Sequence, residues 1–232
     1  MLQKTKLLVP ITAVFIAVEI ALGVLLQTAE GGTFALYAYP SIVLACLYCV
    51  LFAEKSVSYG ATQLALACTV CADYFLVWSE DMKQLPAMIF FSITQLAYFA
   101  RLYWEETDAS RKKGHLICRV ALSVVAIGLT LGVLGAEADV LALVSMFYYA
   151  NLLLNIVYAF VRFRRCPLLA IGLLLFACCD TVIGLGLLDN YLAVSQNSIL
   201  YRIISPGFNL AWAFYLPSQV MLSMSLIGKG KG

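Results

Sequence analysis

Two carboxylates sit where a charge is hard to place. Asp73 lies inside the apolar run Leu64 to Trp78 (LALACTVCADYFLVW), and Asp180 inside a second run, Leu168 to Leu188 (LLAIGLLLFACCDTVIGLGLL). A charge at the centre of a spanning helix costs about 2.5 to 3.5 kcal/mol on insertion scales, so such residues usually serve a site. Two acids whose proton affinities are pushed apart by burial and mutual repulsion can divide general-acid and general-base roles. Other chemistries lack their residues. The one histidine, His115, falls in what reads as a cytoplasmic loop, which removes His-based nucleophile triads and zinc sites built on several histidines. No lysine lies within an apolar run and no Gly-rich phosphate loop is present, so a Schiff-base site and a phosphate cradle are excluded. Acid–base hydrolysis of a lipid arriving from the bilayer and proton-coupled transport both remain open uses of the pair.

The elements that position these acids follow from composition. The 232 residues are 63% hydrophobic and 12% charged, with mean hydropathy +0.93, against about 45–50% apolar and about 25% charged in a soluble domain. Apolar runs long enough to span fall at 7–27, 34–53, 58–78, 86–104, 116–135, 139–161, 167–188 and 204–226. With no long polar linker between them, the expectation is an all-α membrane protein: eight transmembrane helices forming one multi-pass domain over 1–232. Eight helices return both termini to one side. Of the 15 Lys and Arg residues, all but Lys83 and Arg202 then fall on that side, so the positive-inside rule makes the termini cytoplasmic. The first run follows Lys4 and Lys6, as in a signal peptide. It is longer than a signal core and no A-x-A-like site follows, so it reads as the first span. The expected location is the plasma membrane of a bacterium or the endoplasmic reticulum of a eukaryote. Membrane lipids are the partners this implies; nothing points to nucleic acid, and no protein partner can be inferred.

Eight cysteines include Cys46-x-x-Cys49 and Cys68-x-x-Cys71, a zinc-ribbon spacing on paper. Both pairs fall within spanning helices, where they cannot form the tight knuckle of a ribbon. They read as small, soft packing residues, with no metal and no cofactor expected. Tyr103, Trp104, Trp78 and Tyr201 sit near span boundaries, as an interfacial belt does. The charged stretch Glu105 to His115 reads as a solvated linker.

A weak repeat links the halves. Cys71-Ala72-Asp73 and Cys178-Cys179-Asp180 each lie third in a set of four spans, and each is followed by a helix with an internal glutamine, Gln95 or Gln219. A 4+4 parallel repeat predicts that the two aspartates face a common centre. Counting at 1.5 Å per residue, Glu19, Asp73 and Asp180 lie about 8, 6 and 9 residues from their outer helix ends, and Gln95 and Gln219 about 9 and 13. Five strongly polar side chains at similar depth predict one polar pocket in the outer half of the bilayer, with Arg202 as a cation at its mouth. Plainer roles are open for its rim: the glutamines bonding a neighbouring helix, Glu19 as a protonated structural acid, Arg202 snorkelling at the interface.

At these residues the sequence resembles the YhhN family of eight-helix membrane proteins. The family's FSxxGD-like segment in helix three aligns with Cys68-Thr69-Val70-Cys71-Ala72-Asp73, its H-x-x-Y in helix four with Gln95-Leu96-Ala97-Tyr98, and its S-D pair in helix seven with Cys179-Asp180. A late Y-x-x-x-Q-x-x-x-x-x-S pattern aligns with Tyr215, Gln219 and Ser225, and the Lys-Pro of helix two with Tyr39-Pro40. Ala72, Cys179, Gln95 and Tyr39 depart from the family residues; both aspartates are kept. Since the family's characterised members are lysoplasmalogenases, the resemblance implies hydrolysis of the vinyl ether bond of a lysoplasmalogen, a lysophospholipid taken from the bilayer. Asp73 and Asp180 would be catalytic, with Gln95, Tyr98, Tyr215, Gln219, Glu19 and Arg202 around the substrate. A non-catalytic lysolipid-binding relative and a small proton-coupled transporter are the alternative functions.

Overall fold

The structure, a computed structural model, describes residues 2–30, 32–79, 83–187 and 208–227. They form eight α-helices: α1 (Leu2–Thr28), α2 (Gly32–Phe52), α3 (Val57–Asp73), α4 (Gln84–Glu105), α5 (Ala109–Leu134), α6 (Val140–Val161), α7 (Pro167–Leu187) and α8 (Leu210–Met224). Tyr74–Trp78 continues α3 as one π-helical turn, and Gly135–Glu137 closes α5 as a 3₁₀ turn. No strand occurs among the described residues. Seven helices there are long and apolar enough to cross a membrane. The eighth, α8, has 15 residues, and the start of its expected span at 204 lies outside the described residues.

Helix starts are set by short polar caps. Ser56, Asp108, Asp139 and Asn209 each accept a hydrogen bond from a backbone N–H of the turn they open, satisfying donors the helix cannot. Asp108 corrects the sequence reading of helix five. Its carboxylate accepts from Ser110 N (2.8 Å) and Arg111 N (3.4 Å), so the helix begins within the charged stretch at Ala109 rather than at 116. His115 is therefore not in a loop. It lies in α5 and is 2% exposed.

The bundle is arranged for an apolar solvent. Val14, Val24, Val124 and Val133 are exposed, while Thr62, Thr94, Gln95, Asn151, Asn155 and Ser218 are fully buried. With hydrocarbon outside, burial of apolar surface no longer drives helices together, and small residues permitting close approach take over. Ala65 and Ala72 on α3, Ala97 on α4, Ala159 on α6 and Ala170 on α7 are all core residues. Helices α7 and α8 approach closely: a Cβ on Gly172 would stand 2.9 Å from Leu222 Cγ and 3.3 Å from its backbone N. Helix α3 packs most extensively on α4, and α7 on α8, while α6 joins α4 to α7 and α5 lies outside α6. Helix α1 touches α2 and α8.

Candidate functional site

Asp73 is the last residue of α3 before the π turn, in which Ser79 N–H donates to Tyr74 O at 2.8 Å across five residues. Such a turn widens the helix and shifts the face that follows it, and π turns often occur at functional sites. Asp73 is 2% exposed. The Tyr215 hydroxyl of α8 donates to its Oδ2 at 2.5 Å. The second acid repeats the chemistry with different helices: the Tyr148 hydroxyl of α6 donates to Oδ2 of Asp180 on α7. At the next residue of each helix, the hydroxyls of Tyr149 and Thr181 share a bond of 2.8 Å, so α6 and α7 are clasped twice. The bonding is not symmetric in the sense of a 4+4 repeat, which would pair Asp180 with α4.

The two acid–tyrosine pairs belong to one site. Asp73 and Asp180 lie within electrostatic reach of each other, and Tyr148, Tyr215 and Cys179 each feel both. Aromatic rings fill the floor between them. Tyr215 meets Phe176 at 5.4 Å between centroids, Phe176 meets Phe91 at 5.7 Å, and Phe91 meets Tyr148 at 5.8 Å. Such edge and offset contacts fix ring orientation, and hence the direction of each hydroxyl. Asp73 is sealed, whereas Asp180 keeps intermediate exposure. Tyr39 is within electrostatic reach of Asp73 and packs on Tyr74 and Trp78 of the π turn.

The structure thus brings Asp73, Asp180 and Tyr215 together, while Gln95, Tyr98 and Glu19 lie against other groups. Gln95 belongs to a second polar cluster centred on Arg119 of α5, which is 5% exposed. The Arg119 guanidinium donates to Asn155 Oδ1 at 2.7 Å and to Asn151 Oδ1, and its Cζ lies 4.1 Å from the Phe99 ring centroid. Asn155 in turn donates to Gln95 O at 2.8 Å and Gln95 Oε1 at 3.1 Å. His115 Nε2 lies 3.5 Å from Arg119 and its ring packs on Tyr158. Beside His115, at the opposite end of the bundle from Asp73, opens a cleft of about 310 Å³. Tyr98 is fully buried one turn before Arg101, which donates to Ser225 Oγ at 2.6 Å and Thr62 at 3.1 Å. Gln219 is buried with no partner for its amide among the described residues. Glu19 accepts from Ser41 of α2 and lines a groove between α1 and α8. Arg202 lies outside the described residues.

Tyr148, Asn151, Asn155 and Arg119 were not singled out from the sequence. Three of them carried a signal: Asn151 and Asn155 are amides at i, i+4 spacing in an apolar helix, and Tyr148 lies in the aromatic trio Phe147-Tyr148-Tyr149. Arg119 was hidden by the late start given to helix five.

A family model, YhhN family, matches residues 33–226. That stretch holds both acid–tyrosine pairs and leaves out α1. No match to a curated protein or to a solved structure was found. With nearly the whole helical bundle covered by that one model, the chain belongs to the YhhN family.

Proposed function

We propose that this protein is a membrane-embedded hydrolase that cleaves the vinyl ether bond of lysoplasmalogens, with Asp73 and Asp180 dividing the acid and base roles. The observation that carries the reading is the pairing of the two acids: two carboxyls in one site, each held by a tyrosine hydroxyl. Membership of the YhhN family supports it.

Vinyl ethers are cleaved by protonation at carbon, which a positioned carboxylic acid can perform. In the proposed cycle one carboxyl gives its proton to the carbon β to the ether oxygen, leaving an oxocarbenium ion. The other carboxylate takes a proton from water as that water adds to the cationic carbon, forming a hemiacetal. Collapse of the hemiacetal returns its hydroxyl proton to the first carboxylate. The second carboxyl delivers its proton to the departing glycerol oxygen. A fatty aldehyde and a glycerophospho-alcohol leave, one water is consumed and both acids are restored. Tyr148 and Tyr215 position the acids by fixing one oxygen of each. The accompanying topology puts both termini in the cytoplasm and the site in the outer half of the bilayer.

The test is aldehyde release from lysoplasmalogen by the purified protein in detergent. The wild-type protein releases aldehyde, and Asp73→Asn and Asp180→Asn each release it far more slowly. Full release by both variants would refute the acid–base scheme. Binding of lysoplasmalogen without cleavage would replace the reading with a lysolipid-binding role, and pH-gradient-driven uptake into proteoliposomes without cleavage would replace it with transport.

A further inference from the structure

Glu19 stands apart from the acid pair, on a helix that the family match does not cover, and one of its oxygens is unused. The side chain is 4% exposed. Its Oε2 accepts from Ser41, while Oε1 has no partner among the described residues. Glu19 lines a groove of about 380 Å³ between α1 and α8, walled by Ile16, Gly23, Trp212, Leu216 and Val220. Ile20 and Val24, both strongly exposed, flank it on the hydrocarbon side. The absence of a side chain at Gly23 keeps the groove open, for even a Cβ there would touch Leu216 at 3.4 Å.

A second polar group is present in this wall. Pro217 lies inside α8 and has no N–H to offer the Ala213 carbonyl one turn before it; both residues line the groove. The helices run antiparallel. Asn209 N–H donates to Gln27 Oε1 at 2.9 Å, and Gly23 faces Leu216. That register puts Pro217 level with the turn from Glu19 to Leu22, so Glu19 and the carbonyl that Pro217 cannot serve belong to the same stretch of the groove. A carboxyl oxygen and a carbonyl therefore belong to the wall of one apolar groove, where hydrocarbon offers neither a partner.

We propose that this groove binds a long-chain primary alcohol, its hydroxyl bridging Glu19 and the Ala213 carbonyl and its chain lying along α1 and α8. A hydroxyl both donates and accepts: with Glu19 as the neutral carboxylic acid, it accepts from the acid and donates to the carbonyl, whereas an aldehyde or ester carbonyl can only accept. Depth excludes charged heads. Glu19 is nine residues from the outer end of α1, about 14 Å at 1.5 Å per residue, which places it near the middle of a hydrocarbon core about 30 Å thick. A phosphate head would have to leave water to reach it.

Trp212 in the groove wall provides the readout. With Trp78 and Trp104 replaced by Phe, it is the one tryptophan left of the three. In detergent micelles, 9,10-dibromo-octadecan-1-ol quenches Trp212 fluorescence saturably and unbrominated octadecanol competes, whereas 9,10-dibromo-octadecane quenches without saturating. Glu19→Leu weakens the alcohol's binding at least about tenfold. Gly23→Leu, which fills the groove and leaves Glu19 in place, abolishes saturation and keeps the test decisive should Glu19→Leu fail to fold. Equal quenching by alcohol and alkane, or saturable quenching unchanged in Gly23→Leu, overturns the proposal. So does complete protection of Trp212 from both probes, which would mean that protein covers the groove. None of these outcomes depends on the hydrolase reading.

Discussion

Arg119 and the Asp73–Asp180 pair both place charge-bearing groups inside apolar helices, but their neighbours treat them differently. Arg119 is enclosed by Asn151, Asn155, His115 and the face of Phe99. Among the described residues no carboxylate partners it, and its amide neighbours are themselves tied to Gln95, Ser123 and the Phe147 carbonyl. The network joins five side chains across three helices, with only Arg119 Nε and Gln95 Nε2 left without a partner among its described members, and networks of this kind fix a core in one arrangement. The aspartates are held more sparingly. An ionised carboxylate has about four acceptor positions, and each of these takes one side-chain hydrogen bond, from a tyrosine, among the described residues. Asp180 also keeps part of its surface open. The contrast separates a polar cluster that fixes the bundle from one that retains acceptor capacity for a substrate and a proton.

Substitutions in the two clusters should therefore fail in different ways. The largest effect is expected at the acids: Asp73→Asn or Asp180→Asn lowers aldehyde release by about 10²–10⁴-fold, the usual contribution of a positioned acid or base, with unfolding in detergent little changed. Wild-type release follows a bell-shaped pH profile, since it needs one acid protonated and the other ionised. Any residual activity in either Asn variant should lose one limb of that bell. Next come the tyrosines. Tyr215→Phe and Tyr148→Phe each reduce release about ten- to a hundredfold through loss of one hydrogen bond to a carboxyl; because they act by positioning, they shift kcat more than KM. Asn155→Leu breaks the other cluster. It lowers unfolding stability by about 1–3 kcal/mol, measured by denaturation in detergent, because a buried cation loses a partner, while release per folded molecule is unchanged. An equal loss of activity would merge the two clusters into one functional unit. The smallest effect belongs to an exposed charge: Arg111→Ala loses its 3.7 Å pair with Asp108 and changes stability by at most about 0.5 kcal/mol.

Much of the bundle is legible in the sequence because hydrocarbon imposes one strong rule, about 20 apolar residues per span, and seven spans follow it among the described residues. The helix boundary that was misplaced lies where that rule is silent. The first two turns of α5 are charged, and only the capping carboxylate of Asp108 marks the start. Burial of two acids made Asp73 and Asp180 readable, and common depth was a fair guide to their sharing a site. Depth does not fix direction around a helix, however. Glu19 and Gln95 both lie within spanning helices, but on faces turned to other neighbours. Tyr148 was illegible for a related reason: a tyrosine among aromatics in an apolar helix looks like packing until a carboxyl is seen opposite its hydroxyl.

The central claim is that a carboxylic acid of this pair protonates carbon. Running the reaction in D₂O tests it most directly, with the released aldehyde analysed by mass spectrometry. The account predicts one deuterium on the carbon next to the aldehyde carbonyl, and release lowered by about 10²–10⁴-fold in Asp73→Asn or Asp180→Asn. Aldehyde released without that deuterium, or released equally by both variants, would contradict it.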